Sequence, residues 1–218
     1  MGPFGLRERG RSTLARTHGS TQAQGMTIQA MRSTRALRPA ADARLVPWRQ
    51  SVPTVWIRPI RPSDGAALER FYESLSAESR WARFFSWMTG VSAAQSAFFC
   101  SPDHHHREGF VAELPAVGRS LPRLVGHLCL EPDGAATAEV AIAVADAYQG
   151  LGIGWRLMTA GLDWARREGV DTLTATMLEG NLGIRRLLAA LGLPLSFRPM
   201  GSNVLAVTID LRCRSAAA

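Results

Sequence analysis

One stretch constrains the fold more than any other. From Glu139 to Gly154 the chain reads Glu-Val-Ala-Ile-Ala-Val-Ala-Asp-Ala-Tyr-Gln-Gly-Leu-Gly-Ile-Gly. Strict alternation from Ala138 to Val144 predicts a strand, with Glu139, Ala141, Ala143 and Ala145 on one face and Val140, Ile142 and Val144 on the other. Three glycines follow. A helix is then predicted over Leu151 to Arg167, with Leu151, Trp155, Met158, Leu162 and Ala165 on one stripe and Arg156, Asp163 and Arg167 opposite. The first amides of such a helix have no intrahelical partner, and its dipole favours negative charge there. Gly150, Gly152 and Gly154 carry no side chain, so a pyrophosphate could reach the backbone. A turn packed closely on the sheet would use the same glycines.

Other segments supply the remaining elements. Strands are predicted at 54–58, 110–114, 124–131, 172–178 and 204–211. Helices are predicted from Gly65 to Tyr72 behind Asp64, from Ala77 to Phe85 behind Ser76, and from Ala93 to Phe99 behind Ser92. Asn181 caps a short helix that ends at Gly192. Strands cluster rather than alternating strictly with helices, which predicts an α/β (α+β) fold with a mixed central sheet and flanking helices.

Charge divides the chain in two. The net charge is +7, and all 25 basic residues are Arg. Residues 1–49 hold nine of those arginines and two of the 18 acids, so the remainder carries sixteen of each sign and is neutral. Residues 1–50 lack hydrophobic periodicity and are expected to be a disordered, Arg-rich tail. A transit peptide or a basic arm for nucleic acid are weaker readings of the same composition. No apolar run reaches the about 18 residues of a membrane span. Cys100, Cys129 and Cys213 match neither a disulfide framework nor a zinc pattern, which fits a reducing cytoplasm. His104-His105-His106 has no second cluster to complete a metal site, and none is expected.

Two phosphate motifs are excluded by spacing. A Walker loop needs a Lys, and there is none; a dinucleotide fingerprint needs Gly at position 155, which is Trp155. The remaining pattern, Gln149-x-x-Gly152-x-Gly154 after a strand, resembles the acyl-CoA signature of the GNAT N-acetyltransferases. Ile57-Arg-Pro-Ile-Arg-Pro-Ser-Asp64 is similar to that family's first strand and turn, and Asn181 with Ile184, Leu187 and Gly192 to its last helix. Leu75 to Phe85 and Ala138 to Gly150 resemble the GNAT domain of bacterial Pat-type protein lysine acetyltransferases. The likeness spans residues 52–211, one GNAT acetyltransferase domain.

The resemblance implies acetyl-CoA as co-substrate, between splayed parallel strands 138–144 and 172–178. It places acetyl-CoA along Ile142, Ala143 and Val144, along the turn from Gln149 through Gly150, Leu151, Gly152, Ile153 and Gly154 to Trp155, and beside Asn181 and Arg185. It makes Glu139 the general base and puts Leu188 where the family's acid Tyr would stand, leaving that role unassigned. Physically, an amine of pKa near 10.4 must lose a proton before attacking a thioester, and a partly buried Glu can take it. The implied acceptor is a protein lysine, on a metabolic enzyme such as an acyl-CoA synthetase. A small amine acceptor and a non-catalytic acyl-CoA-sensing module remain as alternatives.

Overall fold

In a computed structural model, residues 54–116, 118 and 122–212 are described. The tail expected over 1–50 lies outside the described residues, as does Cys213. Seven strands form one sheet: β1 Trp56–Pro59, β2 Glu108–Leu114, β3 Arg123–Pro132, β4 Thr137–Val144, β5 Thr172–Leu178, β6 Leu195–Gly201 and β7 Val204–Asp210. Their order is β1-β2-β3-β4-β5-β7-β6. Neighbours run antiparallel except β4 and β5, which are parallel and joined through a helix. The helices are α1 Gly65–Glu73, α2 Ala77–Phe84, α3 Ala93–Phe99, α4 Ile153–Arg167 and α5 Leu182–Ala190. This is the mixed sheet with flanking helices that the sequence predicts.

The sheet is apolar on both faces because helices cover both. On one, Leu128, Leu130 and Val140 meet Leu157, Met158, Leu162 and Ala165 of α4. Removing a leucine such as Leu157 from water stabilises the fold by roughly 1.5 to 3 kcal/mol. On the other, Val111, Cys129 and Ala143 meet Leu68, Phe71 and Tyr72 of α1 and Phe99 of α3. The β3–β4 register is continuous from Gly126↔Val144 to Pro132↔Ala138. The alternation along β4 therefore holds: Val140, Ile142 and Val144 pack with α4, and Ala141, Ala143 and Ala145 with the α1 side.

Four sequence expectations need correction. Asp64 precedes α1, but its side chain does not cap that helix. Its carboxylate instead accepts from the Arg61 amide at 2.8 Å and from the Arg58 guanidinium at 2.7 and 2.9 Å. Arg58 also donates to Glu113 on β2, so it latches the first strand to its neighbour. Next, α4 starts at Ile153 rather than Leu151, because Gly152 caps it at a φ of 79°. Third, α2 ends at Phe84, since Phe85 turns left-handed at a φ of 51°. The fourth is β6, an outer strand that the sequence does not announce. It is exposed from Ser196 to Gly201, so it lacks an alternating apolar face, and it contains Pro199.

Candidate active site

β4 and β5 pair only over Thr137–Glu139 and Thr172–Thr174. Past Glu139 the two strands part. A cleft of about 950 Å³ opens there, lined by Val140 to Val144, by Ala175 to Leu178, and by α2, the glycine turn and α5. Parting leaves backbone polar groups of both strands without a ladder partner, which suits an extended ligand able to bond them.

The floor of the cleft is the turn between β4 and α4. Gly150 and Gly152 have φ of 75° and 79°, and a Cβ added at either would meet no atom within 4 Å. Glycine is there for the left-handed backbone rather than to relieve a clash. The amides of Gly150 to Trp155 find no acceptor among the described residues. Unmatched N–H groups at the positive end of a 15-residue helix favour negative charge there.

α2 ties this turn down. Asp146 accepts from the Ser76 amide and Ser76 Oγ at 2.8 Å each and from Ser79 Oγ at 2.7 Å. Burial raises its carboxyl, but these bonds outweigh that and hold it below the ordinary value. Gln149 Nε2 donates to the Val144 carbonyl at 3.1 Å and to Ser79 Oγ at 3.2 Å. The Gln149 side chain thus braces the turn.

The structure brings most of the sequence-predicted residues together. Ile142, Ala143, Val144, Gln149, Gly150, Gly152, Gly154, Trp155 and Asn181 all line the cleft. Leu151 is half-buried beside it, and Ile153 points into the core. Asn181 Oδ1 accepts from the Ile184 amide at 3.0 Å, which is the expected cap and leaves the amide NH2 free to donate. Arg185 turns away: its Nε donates to the Glu179 carbonyl at 2.9 Å and its guanidinium covers Phe197. Arg186, the next residue round the helix, lines the cleft instead. Leu188 is buried and lines it too. His104 and His106 sit against Glu108 and Asp103, and His105 against Glu168. No group of three His, Cys, Asp or Glu that could hold a metal occurs among the described residues.

Glu139 stands at the vertex, where the β4–β5 ladder ends. It is solvent-accessible and is not among the residues that line the cleft, which on β4 begin at its neighbour Val140. Desolvation still raises its carboxyl above the ordinary value; Arg83 opposes this, and Asp133 and Glu131 add to it. The alanine row beside it is less open than expected. Ala143 is 9% exposed because α1 and α2 cover it, and Ala141 is the half-buried member nearest Glu139. Sequence reasoning missed Arg83. It reaches from α2 to Cys129 Sγ at 3.1 Å, a contact across 46 positions that no local spacing encodes.

A sheet that splays at its one parallel pair, over a glycine turn with unpaired amides, defines an acyl-CoA-dependent transferase. A profile of the acetyltransferase (GNAT) family matches residues 68–193. The chain belongs to that family: it is a GNAT-type N-acetyltransferase, and its co-substrate is acetyl-CoA. It is 33% identical over 144 residues to the acetyltransferase PA5475 of Pseudomonas aeruginosa, covering 63% of this chain and 74% of that one. The GNAT domain of Streptomyces lividans PAT matches with a TM-score of 0.62 at 28% identity, over 71% of this chain and 89% of the domain. The Salmonella typhimurium protein yncA, solved with its cofactor acetyl-CoA, shares the fold at 21% identity and a TM-score of 0.58, over 75% of this chain and 96% of that one. No described helix is long and apolar enough to cross a membrane.

Proposed function

We propose that the chain moves the acetyl group of acetyl-CoA to a lysine side chain of another protein, with Glu139 as general base. The pantetheine arm lies between β4 and β5, where Asn181 can donate to it, and the pyrophosphate rests on the amides of Gly150 to Trp155. Arg186 is the arginine on hand for the phosphates. The acceptor nitrogen attacks the acetyl carbonyl carbon. A C–N bond forms, the C–S bond breaks, and the amine proton passes to the Glu139 carboxylate. The departing thiolate takes its proton from water, since a thiol of pKa near 8.5 is a good leaving group.

One observation carries this reading: the β4–β5 ladder stops at Glu139, the residue just before Val140, where the β4 lining of the cleft begins. Its raised pKa suits a base that must accept a proton near neutrality. The protein acceptor is supported by the likeness to the S. lividans PAT domain. It is also supported by the apolar lining of the cleft, which includes Ala82, Ala141 and Ala143. A small charged amine normally needs several placed polar groups. A protein lysine can be held by contacts remote from its nitrogen, with its stem along apolar surface.

The test incubates the protein and a Glu139→Gln variant with acetyl-CoA and a cell lysate, and in parallel with polyamines, aminoglycosides and amino acids. New acetyl-lysine sites by mass spectrometry, lost in the variant, are expected. Fast turnover of a small amine without enzyme-dependent protein acetylation would overturn the lysine acceptor.

A further inference from the structure

Arg83 is a half-buried cation between α2 and the sheet, and it lines the cleft. Its Nη2 donates to Cys129 Sγ at 3.1 Å, and its guanidinium lies 4.8 Å from the Phe84 ring centroid and 5.9 Å from that of Phe99. Its Nε is buried and has no acceptor among the described residues. No carboxylate forms an ion pair with it there. Arginine does not shed its proton in proteins. A cation whose Nε is buried without a partner and that has no contacting counter-charge is costly, and such groups call for a functional reason.

Four titratable groups face this guanidinium: Tyr72 from α1, His127 and Cys129 from β3, and Glu139 from β4. Burial pushes the Tyr72 hydroxyl up to about 12 and raises the Cys129 thiol as well, so both are neutral at pH 7. Burial lowers His127 to about 3, so it is neutral too. Glu139 is the one carboxylic acid of the four. Sheet register places it. Cys129 pairs with Ala141, and Glu139 lies two residues along on the same face. Such diagonal neighbours sit about 7 to 8 Å apart, within reach of long side chains.

We infer that Arg83 is a positioning residue for the transfer, the fixed cation that holds Glu139 as a carboxylate ready to take the amine proton. This rests on Glu139 being the base. Two acids work the other way. Glu131, opposite Glu139 on β3, is met by Arg107 at 2.6 Å, and Asp133 in the β3–β4 turn accepts from Thr174 of β5 at 3.1 Å. Both raise the Glu139 carboxyl, as does its desolvation, and Arg83 alone among its charged neighbours lowers it. Removing the cation leaves three influences that favour the protonated form, which cannot act as a base.

The experiment titrates the Glu139 carboxyl carbon by NMR in the full chain, with Glu139→Gln identifying its resonance. Arg83→Met should move the inflection to higher pH by about one unit or more, a tenfold gain in proton affinity. Arg83→Lys should fall between Arg83→Met and the wild type. If Arg83→Met does not fold, the Arg83→Lys shift decides. Acetyl-CoA titration confirms that the co-substrate site is intact. The acidic limb of the pH profile for lysate acetylation should move in the same direction. An unmoved inflection in a folded variant overturns the role of Arg83 while leaving Glu139 as base. Wild-type activity in Glu139→Gln would instead remove the base, and the inference with it.

Discussion

Gly152 holds a φ of 79°, where side chains are rarely tolerated, and it lines the cleft. Gly152→Val strains that backbone and sets a branched side chain over the amides. Calorimetry should show acetyl-CoA affinity falling at least tenfold, about 1.4 kcal/mol. Wild-type affinity in a folded variant would move the phosphate site elsewhere. His127 is informative for stability. Fully enclosed, it shares a hydrogen bond of 2.8 Å with Tyr72 OH. Its folded pKa of about 3 lies below the ordinary 6.5, so between those values the unfolded chain binds one more proton than the folded one. Its contribution is complete above pH 6.5 and drains away as pH falls toward 3. Urea unfolding across that window should show a slope that His127→Gln lowers by up to about 1.4 kcal/mol per pH unit. An unchanged slope would contradict the burial.

At the level of elements, the clasp between α2 and the β4–α4 turn is the feature to break. Asp146→Ala removes three hydrogen bonds to Ser76 and Ser79. Chemical denaturation should show a loss of about 1 to 2 kcal/mol, and acetyl-CoA should bind more weakly because the turn loses its brace. A variant with weaker binding but unchanged stability would mean that the clasp acts only on the ligand. The sequence made most elements legible where residue type and period agree. β5 and α3 sit where the sequence puts them, and α5 has its Asn181 cap, because branched alternation and Ser or Asn caps are local signals. The glycine turn was legible for the same reason. What escaped depends on distance in sequence: β6 exists because β7 offers it an edge, Arg58 latches Glu113 across 55 positions, and Arg83 finds Cys129 across the core. Arg185 and Arg186 show the limit within one helix. Arg185 is the expected contact and Arg186 is of the same type, but only packing decides which one turns toward the cleft.

For the whole molecule, one sheet carries two apolar faces, and the break in its single parallel pair opens the candidate cleft. α4 anchors the cleft from one face and α2 from the other, so the fold's rigidity and its opening come from the same strands. This arrangement separates two roles that a single variant can tell apart. On the proposed mechanism the backbone amides of the turn hold the co-substrate, and the Glu139 carboxylate at the end of the β4–β5 ladder moves the proton. The most direct measurement is the Glu139→Gln variant, assayed for turnover and titrated with acetyl-CoA. At pH 7 kcat should fall roughly a hundredfold or more while acetyl-CoA affinity stays nearly intact, and the deficit should shrink as pH rises and free amine becomes available. A folded variant that turns over like the wild type would contradict Glu139 as the base, and equal losses in binding and turnover would contradict the separation of the two roles.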